Sequence, residues 1–280
     1  MFLITGAKGQ LGHCLRDILP AEKCIFTDVT ELDITSEQAV FAFGKKHLLT
    51  AIINCAAYTN VDKAESEPVL ARKINVDGPA NLAKLAAHLD IPFVHISTDY
   101  VFDGSTNTPL SETAPVRPLG VYGQTKYEGE QAVLQYAKTA VILRSAWLYS
   151  QYGKNFVKTM LKLGTEKENL GVVCDQVGTP TYAPHLAQTI VHILPQIKTG
   201  TRSIYHFTDE GVCSWYDLAW YALNRAGSKC RVEPILSCEY PTPAKRPAFS
   251  VLNKAAIKKD FGVNISHWTK GVDECLTKLS

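Results

Sequence analysis

The first twenty residues limit the fold more than any other stretch. Phe2-Leu-Ile-Thr5 is an uninterrupted apolar run that ends on glycine, and glycines recur at positions 6, 9 and 12. Gln10–Leu19 then carries helical periodicity until Pro20 stops it. A strand that turns over on spaced glycines into a helix makes a phosphate-binding geometry. Gly6 permits the tight turn, Gly9 lets backbone come close to a pyrophosphate, and Gly12 lets helix and strand pack closely. The helix N-terminus adds free N–H groups and a partial positive charge. A glycine turn that binds nothing does not require this strand-turn-helix setting.

The rhythm that follows agrees with that start. Cys24–Thr27, Ala51–Asn54, Phe93–Ile96 and Ala140–Leu143 read as short apolar strands. Ser36–Leu48, Val69–Leu89 and Gln124–Tyr136 read as the helices between them. Ser36 caps the first of these, and Gly78-Pro79 interrupts the second as a kink. Strands apolar on both faces, alternating with helices, predict an α/β fold with a Rossmann-type doubly wound parallel sheet. Past Trp147 the alternation loosens. Helices are expected over Asn155–Leu163, Pro184–Leu194 and Trp215–Arg225, with a short strand at Gly171–Val173. A proline-rich stretch, Pro241–Pro247, precedes two short helices near Lys254–Phe261 and Gly271–Leu279. The expected division is a dinucleotide-binding domain over 1–150 and, over 151–280, mainly a smaller substrate-binding lobe. The apolar run Ser203–Phe207 is expected to return to the main sheet as a strand.

Bulk properties exclude several classes. A chain of 280 residues can bury a sizeable core. Its formal charge of +2 leaves no extended basic surface, so nucleic acid is not expected as a partner. No apolar run is long enough for a membrane span. The first strand leads straight into the glycine motif, so no signal or transit peptide is expected. The eight cysteines contain no Cys-x-x-Cys pair and read as free thiols of a reducing cytoplasm. No His-Glu-x-x-His or comparable spacing assigns a metal, and His95 reads as strand filler.

Three further positions carry chemistry. Tyr122 and Lys126 stand four apart in Val121-Tyr-Gly-Gln-Thr-Lys-Tyr127, hence on one helix face one turn apart. An ammonium beside a phenol is expected to lower the tyrosine pKa and make it a usable proton donor or acceptor. Ser97-Thr98-Asp99 follows the Phe93–Ile96 strand, at the end where open α/β sheets bind ligands. Thr98 would polarise a carbonyl, Tyr122 supply a proton, and Lys126 tune Tyr122 while holding a nicotinamide ribose; the dinucleotide would carry the hydride. Asp28 closes the second strand, where a carboxylate either binds the ribose 2′-hydroxyl or caps a turn. No arginine lies between Asp28 and the third strand to take a 2′-phosphate. Asp33 and Ile34 could line an adenine pocket, and the small residues of Asn54-Cys-Ala-Ala57 let a cofactor lie across the strand ends.

Together these motifs resemble an extended short-chain dehydrogenase/reductase, and longer runs resemble one subgroup, the dTDP-4-dehydrorhamnose reductases. The runs are Gly9-Gln-Leu-Gly12, Ala57-Tyr-Thr-Asn-Val-Asp-Lys-Ala-Glu65, Ser97-Thr-Asp-Tyr-Val-Phe-Asp-Gly104 and Pro118-Leu-Gly-Val-Tyr-Gly-Gln-Thr-Lys126 with Gly129-Glu130. Arg144-Ser-Ala-Trp147, Asn155-Phe-Val-Lys-Thr-Met160 and Asp175-Gln-Val-Gly-Thr-Pro180 extend the likeness, which runs from Ile4 to about Asn253. The resemblance implies reduction of dTDP-4-dehydro-6-deoxy-L-mannose to dTDP-L-rhamnose with Thr98, Tyr122 and Lys126 catalytic. It implies that Gly6, Gly9, Gln10, Leu11 and Gly12 hold the pyrophosphate, with Asp33 and Ile34 near the adenine and Ala56, Ala57 and Tyr58 along the cofactor. Val61, Asp62, Asp99, Trp147 and Arg246 would face the sugar nucleotide. Asp62 could instead be a helix cap, and Trp147 core packing. The family uses NADPH, often accepts NADH, and has Mg²⁺-linked dimers in some members. The expectation is a cytoplasmic monomer or homodimer with a nucleotide sugar as its small-molecule partner.

Two departures stand out. Phe249, in Arg246-Pro-Ala-Phe-Ser-Val-Leu-Asn253, occupies a position where the family usually has asparagine. Gly78-Pro79 follows Asn75, a residue that the superfamily often places near its site. Two other readings compete: a non-catalytic dinucleotide-binding subunit like the regulatory subunit of methionine adenosyltransferase, and an epimerase or reductase of another nucleotide sugar.

Overall fold

The computed structural model describes residues 1–279. Five apolar runs form the strands β1 (Phe2–Thr5), β2 (Cys24–Thr27), β3 (Ala51–Asn54), β4 (Phe93–Thr98) and β5 (Ala140–Ser145). With a sixth strand, Arg202–His206, they make one sheet in the order β2, β1, β3, β4, β5, Arg202–His206. Every pairing in it is parallel. The Ser203–Phe207 run therefore does return to the main sheet, on the outer edge of β5.

The strands are covered on both faces, which is why they read as continuous apolar runs. Ile4, Ile53, Val94, Val141 and Leu143 pack on helix α1 (Gln10–Ile18) and on the Ala183–Ile193 helix. Their neighbours Leu3, Ile52, Phe93, Ala140 and Ile142 point the other way. They meet helix α2 (Glu37–Lys46) and the helices Gly78–Leu89 and Val121–Tyr136. The two-residue side-chain period of a strand accounts for this division. Ser36 caps α2 by accepting from the Ala39 N–H at 3.3 Å.

Helical hydrogen bonding runs across Gly78-Pro79. Pro68–Arg72 continues through a single widened turn, Lys73–Asp77, into Gly78–Leu89. In that turn the Gly78 N–H donates to the Lys73 carbonyl, five residues back. Pro79 has no N–H for the carbonyl of Asn75, and the widened turn absorbs the gap without a break.

The remaining chain builds a second, smaller set of packed elements. The helix Trp215–Arg225 starts from a capping box: Asp217 N–H donates to Ser214 Oγ at 3.1 Å, and Ser214 N–H to Asp217 Oδ2 at 2.8 Å. It packs on Trp268, Val272 and Cys275 of the Trp268–Leu279 helix. A two-stranded parallel pair joins Asn169–Val173 to Arg231–Ile235. The second strand contains Pro234, which hides it from a sequence reading, yet it is an edge strand and can carry a proline. No described helix is long and apolar enough to cross a membrane.

Candidate active site

The sheet reverses its winding between β1 and β3, and a cavity of about 910 Å³ opens at the carboxyl ends of the strands there. Its floor is the glycine turn. Gly6 has φ of +66°, and a Cβ on it would lie 2.6 Å from the Ala56 backbone nitrogen. A Cβ on Gly12 would lie 2.5 Å from the Gly6 carbonyl oxygen. The first needs glycine for its backbone conformation and the second for close packing of turn and helix. Helix α1 opens at Gly9 with no side chain capping its first N–H groups, which leaves them for an anion. Beneath the turn, Thr5 Oγ1 donates to Asn54 Oδ1 at 2.6 Å, and Asn54 Nδ2 meets His95 Nδ1 at 2.9 Å. This chain of contacts ties the ends of β1 and β3 to the middle of β4. His95 is fully buried, and burial holds its pKa well below the ordinary range.

The other residues expected around a cofactor divide by what they touch. Gly9, Leu11, Asp33, Ile34, Ala56 and Ala57 line the cavity. Asp33 Oδ1 accepts from the Thr35 N–H and hydroxyl at 2.9 and 2.7 Å, which holds its carboxyl below the ordinary range. Asp28 also lines the cavity, but its oxygens are engaged as a turn cap: Oδ2 accepts from Lys8 N–H at 3.1 Å and Oδ1 from Val29 N–H at 2.9 Å. Gln10 lines it too and bridges outward. Its Oε1 accepts from Ser150 and Asn155 at 3.0 Å each, and its Nε2 donates to the Leu148 carbonyl at 3.2 Å. Tyr58 stands outside the lining, with its hydroxyl on Glu67 at 2.7 Å and its N–H on Asn75 Oδ1 at 2.8 Å.

Thr98, Tyr122 and Lys126 come together on one wall. Thr98 ends β4; its Oγ1 donates to Asp99 Oδ1 at 3.1 Å and accepts from Tyr100 N–H at 3.2 Å. Asp99 is buried, its Oδ2 has no hydrogen-bond partner, and burial raises its pKa to about 6. Lys126 is 2% exposed and donates from Nζ to the Ile96 carbonyl at 2.6 Å. Burial lowers its pKa to about 8 against the opposing pull of Glu130. Tyr122 departs from the expectation of a lowered pKa. Burial pushes its phenol up to about 12, and the opposing pull comes from the Thr98 hydroxyl rather than from Lys126. The spacing puts the two side chains on one helix face, but the ammonium turns to the Ile96 carbonyl.

Trp147 also lines the cavity; its φ is +49° and its indole stacks on Trp215 with centroids 3.6 Å apart. Val61 lines the cavity as well. Asp62 and Arg246 lie beside the lining and hold each other: Nη2 to Oδ2 is 2.8 Å and Nη1 to Oδ1 is 3.1 Å. The helix cap at Val61–Ala64 is Asn60, not Asp62. Phe249 is half-buried and makes a backbone bridge with Val177. Lys8, Lys73 and Lys154 also line the cavity, and isolated lysines carry no spacing signal in a sequence. Among the described residues no group of three or more His, Cys, Asp or Glu stands together to hold a metal.

A parallel sheet wound on both faces, with a glycine turn at its switch point, defines a Rossmann-type α/β protein. The chain belongs to the RmlD substrate binding domain family, whose family model matches residues 1–280. It is 41% identical over 282 residues to a dTDP-4-dehydrorhamnose reductase of Aggregatibacter actinomycetemcomitans, covering 96% of each chain. Among solved structures it is similar to a dTDP-4-dehydrorhamnose reductase of Clostridium acetobutylicum, with a TM-score of 0.95, 42% identity and 99% of each chain covered. A Bacillus anthracis dTDP-4-dehydrorhamnose reductase in complex with NADP has a TM-score of 0.95 at 36% identity, covering 99% of this chain and 98% of that one.

Proposed function

We propose that the chain reduces the 4-keto group of dTDP-4-dehydrorhamnose (dTDP-4-dehydro-6-deoxy-L-mannose) to dTDP-L-rhamnose, with NADPH or NADH as reductant. The observation that carries this reading is the meeting of Thr98, Tyr122 and Lys126 on a cavity wall above the glycine turn. The turn fits a dinucleotide, because its helix start is uncapped and a Cβ at Gly6 or Gly12 would meet backbone.

When bound, the reduced nicotinamide supplies the hydride to the carbonyl carbon. Thr98, its hydroxyl turning from Asp99 to the substrate, donates a hydrogen bond to the carbonyl oxygen, and Tyr122 gives that oxygen its phenolic proton. The raised pKa of Tyr122 keeps the phenol protonated at neutral pH, so the donor is loaded before reaction. Lys126 holds the nicotinamide ribose. The Ile96 carbonyl, which accepts from Lys126, orients the ammonium for this task. Gly6, Gly9, Gln10, Leu11 and Gly12 take the pyrophosphate, and Asp33 and Ile34 the adenosine end. On the sugar side we assign Val61, Asp99 and Trp147, with Asp62 and Arg246 fixing the loop beside them. Residues 151–280 form mainly the sugar-nucleotide lobe, apart from the strand returned to the sheet and the Ala183–Ile193 helix that covers it.

The test is consumption of reduced nicotinamide by the purified protein with dTDP-4-dehydrorhamnose, together with identification of the sugar product. Turnover to dTDP-L-rhamnose is expected. Tight cofactor binding without turnover would replace this reading with a non-catalytic one, and product formation without net NADPH loss would point to an epimerase.

A further inference from the structure

Glu130 is buried completely, one helical turn beyond Lys126 and on the same helix face. Its carboxylate accepts from Ser97 Oγ at 2.5 Å, from Arg144 Nε at 2.8 Å and from Arg144 Nη2 at 2.7 Å. Ser97 directly precedes Thr98 on β4, and Arg144 is its register partner on β5. One carboxylate therefore ties the helix that carries Tyr122 and Lys126 to two strands, one residue short of Thr98. A helix–sheet clamp needs only the ion pair. The bond to Ser97 adds a fixed distance between Thr98 and the helix.

The charge environment of Lys126 points the same way. Cys55, at the end of β3, is a thiol that burial pushes up to about 12, so it is neutral. His95, from β4, is kept neutral by burial. Tyr122 on the same helix is a protonated phenol. Arg144, from β5, adds positive charge behind Glu130. Glu130 is the anion among these neighbours, and its pull on Lys126 opposes burial.

We propose that Glu130 is a positioning residue for the reduction proposed above, on which this role rests: its carboxylate keeps Lys126 charged and sets Thr98 in register with the Tyr122–Lys126 helix. Without that charge, desolvation would strip the proton from Lys126 at lower pH.

The test measures Lys126 directly. Competitive acylation at a series of pH values, read by mass spectrometry, gives the midpoint of Lys126 reactivity in the wild type, Glu130→Gln and Glu130→Gln/Arg144→Met. The double variant removes the unpaired guanidinium that could keep the single one from folding. The expected midpoint falls by about one pH unit in Glu130→Gln and by less, with the same sign, in the double variant. NADPH affinity at about pH 8 should fall with it, and should recover at lower pH as Lys126 regains its proton. An unchanged midpoint overturns the proposal. So does a rise toward the free-lysine value of about 10.4, which is what a loosened fold produces. The labelling does not depend on turnover. A wild type that fails to reduce the keto sugar would sink the functional reading and still report whether Glu130 governs Lys126.

Discussion

The wall that carries Thr98, Tyr122 and Lys126 and the part of the site around Trp147, Asp62 and Arg246 are held by different means. On the first, polar groups are buried and bound to strand ends: Lys126 to the Ile96 carbonyl, Glu130 to Ser97 and Arg144. On the second, two stacked indoles and a partly exposed ion pair, Asp62–Arg246, join segments far apart in the chain. Buried hydrogen-bonded groups are costly to disturb, whereas a part-exposed ion pair contributes little and can be remade. The first wall suits chemistry that must stay fixed, and the second suits recognition that can be tuned.

The largest expected effect breaks the fixed wall without moving it. Tyr122→Phe should lower kcat by about 10³-fold and leave the NADPH dissociation constant nearly unchanged, because the hydroxyl acts in proton transfer. Turnover close to wild type would remove Tyr122 from the reaction. Lys126→Met should weaken NADPH binding by roughly tenfold and lower kcat with it, since on the proposed reading the ammonium positions the nicotinamide ribose. In the wild type, NADPH affinity should decline as pH rises through about 8, because the folded-state pKa of Lys126 lies there and the bound ribose needs the ammonium. A flat titration from neutral pH to well above that value would contradict this.

Smaller effects are expected from residues that only shape the site. Asp28→Ala should weaken NADH and NADPH alike by a few-fold, because its oxygens brace the turn through Lys8 and Val29. A selective gain for NADPH would give Asp28 the 2′-hydroxyl instead. Asp62→Asn should change KM for the sugar nucleotide a few-fold, leave kcat alone and cost about 0.5 kcal/mol of stability. A large loss of kcat would show that this part of the site is as fixed as the first wall.

Much of the first wall was legible in the sequence. Apolar runs at β1 to β5 marked the sheet, the glycines at 6, 9 and 12 marked its switch point, and Thr98 fell at a strand end. Spacing could not reveal where a side chain turns once buried. The Tyr122–Lys126 interval told of a shared helix face but not of the Ile96 carbonyl, so the sign of the Tyr122 shift came out reversed. Nor could it show that a widened turn would carry the helix on through Pro79. The part around Trp147, Asp62 and Arg246 was harder, because its contacts are long-range: Asp62 and Arg246 lie 184 positions apart. Neither residue has a local pattern that names its partner. Pro234 concealed the Arg231–Ile235 strand for the reason that it sits safely on an edge.

The strand Arg202–His206 has a consequence for how the protein is made. It supplies the outer partner of β5, and residues 146–201 come between them in the chain. Every residue of β5 is buried in the finished molecule. On the ribosome, β5 therefore emerges with one edge open until the whole intervening segment has been synthesised. An open apolar edge is a template for pairing with another chain. A nascent chain stalled before Arg202, or a fragment cut there, should aggregate rather than persist as a free-standing nucleotide binder.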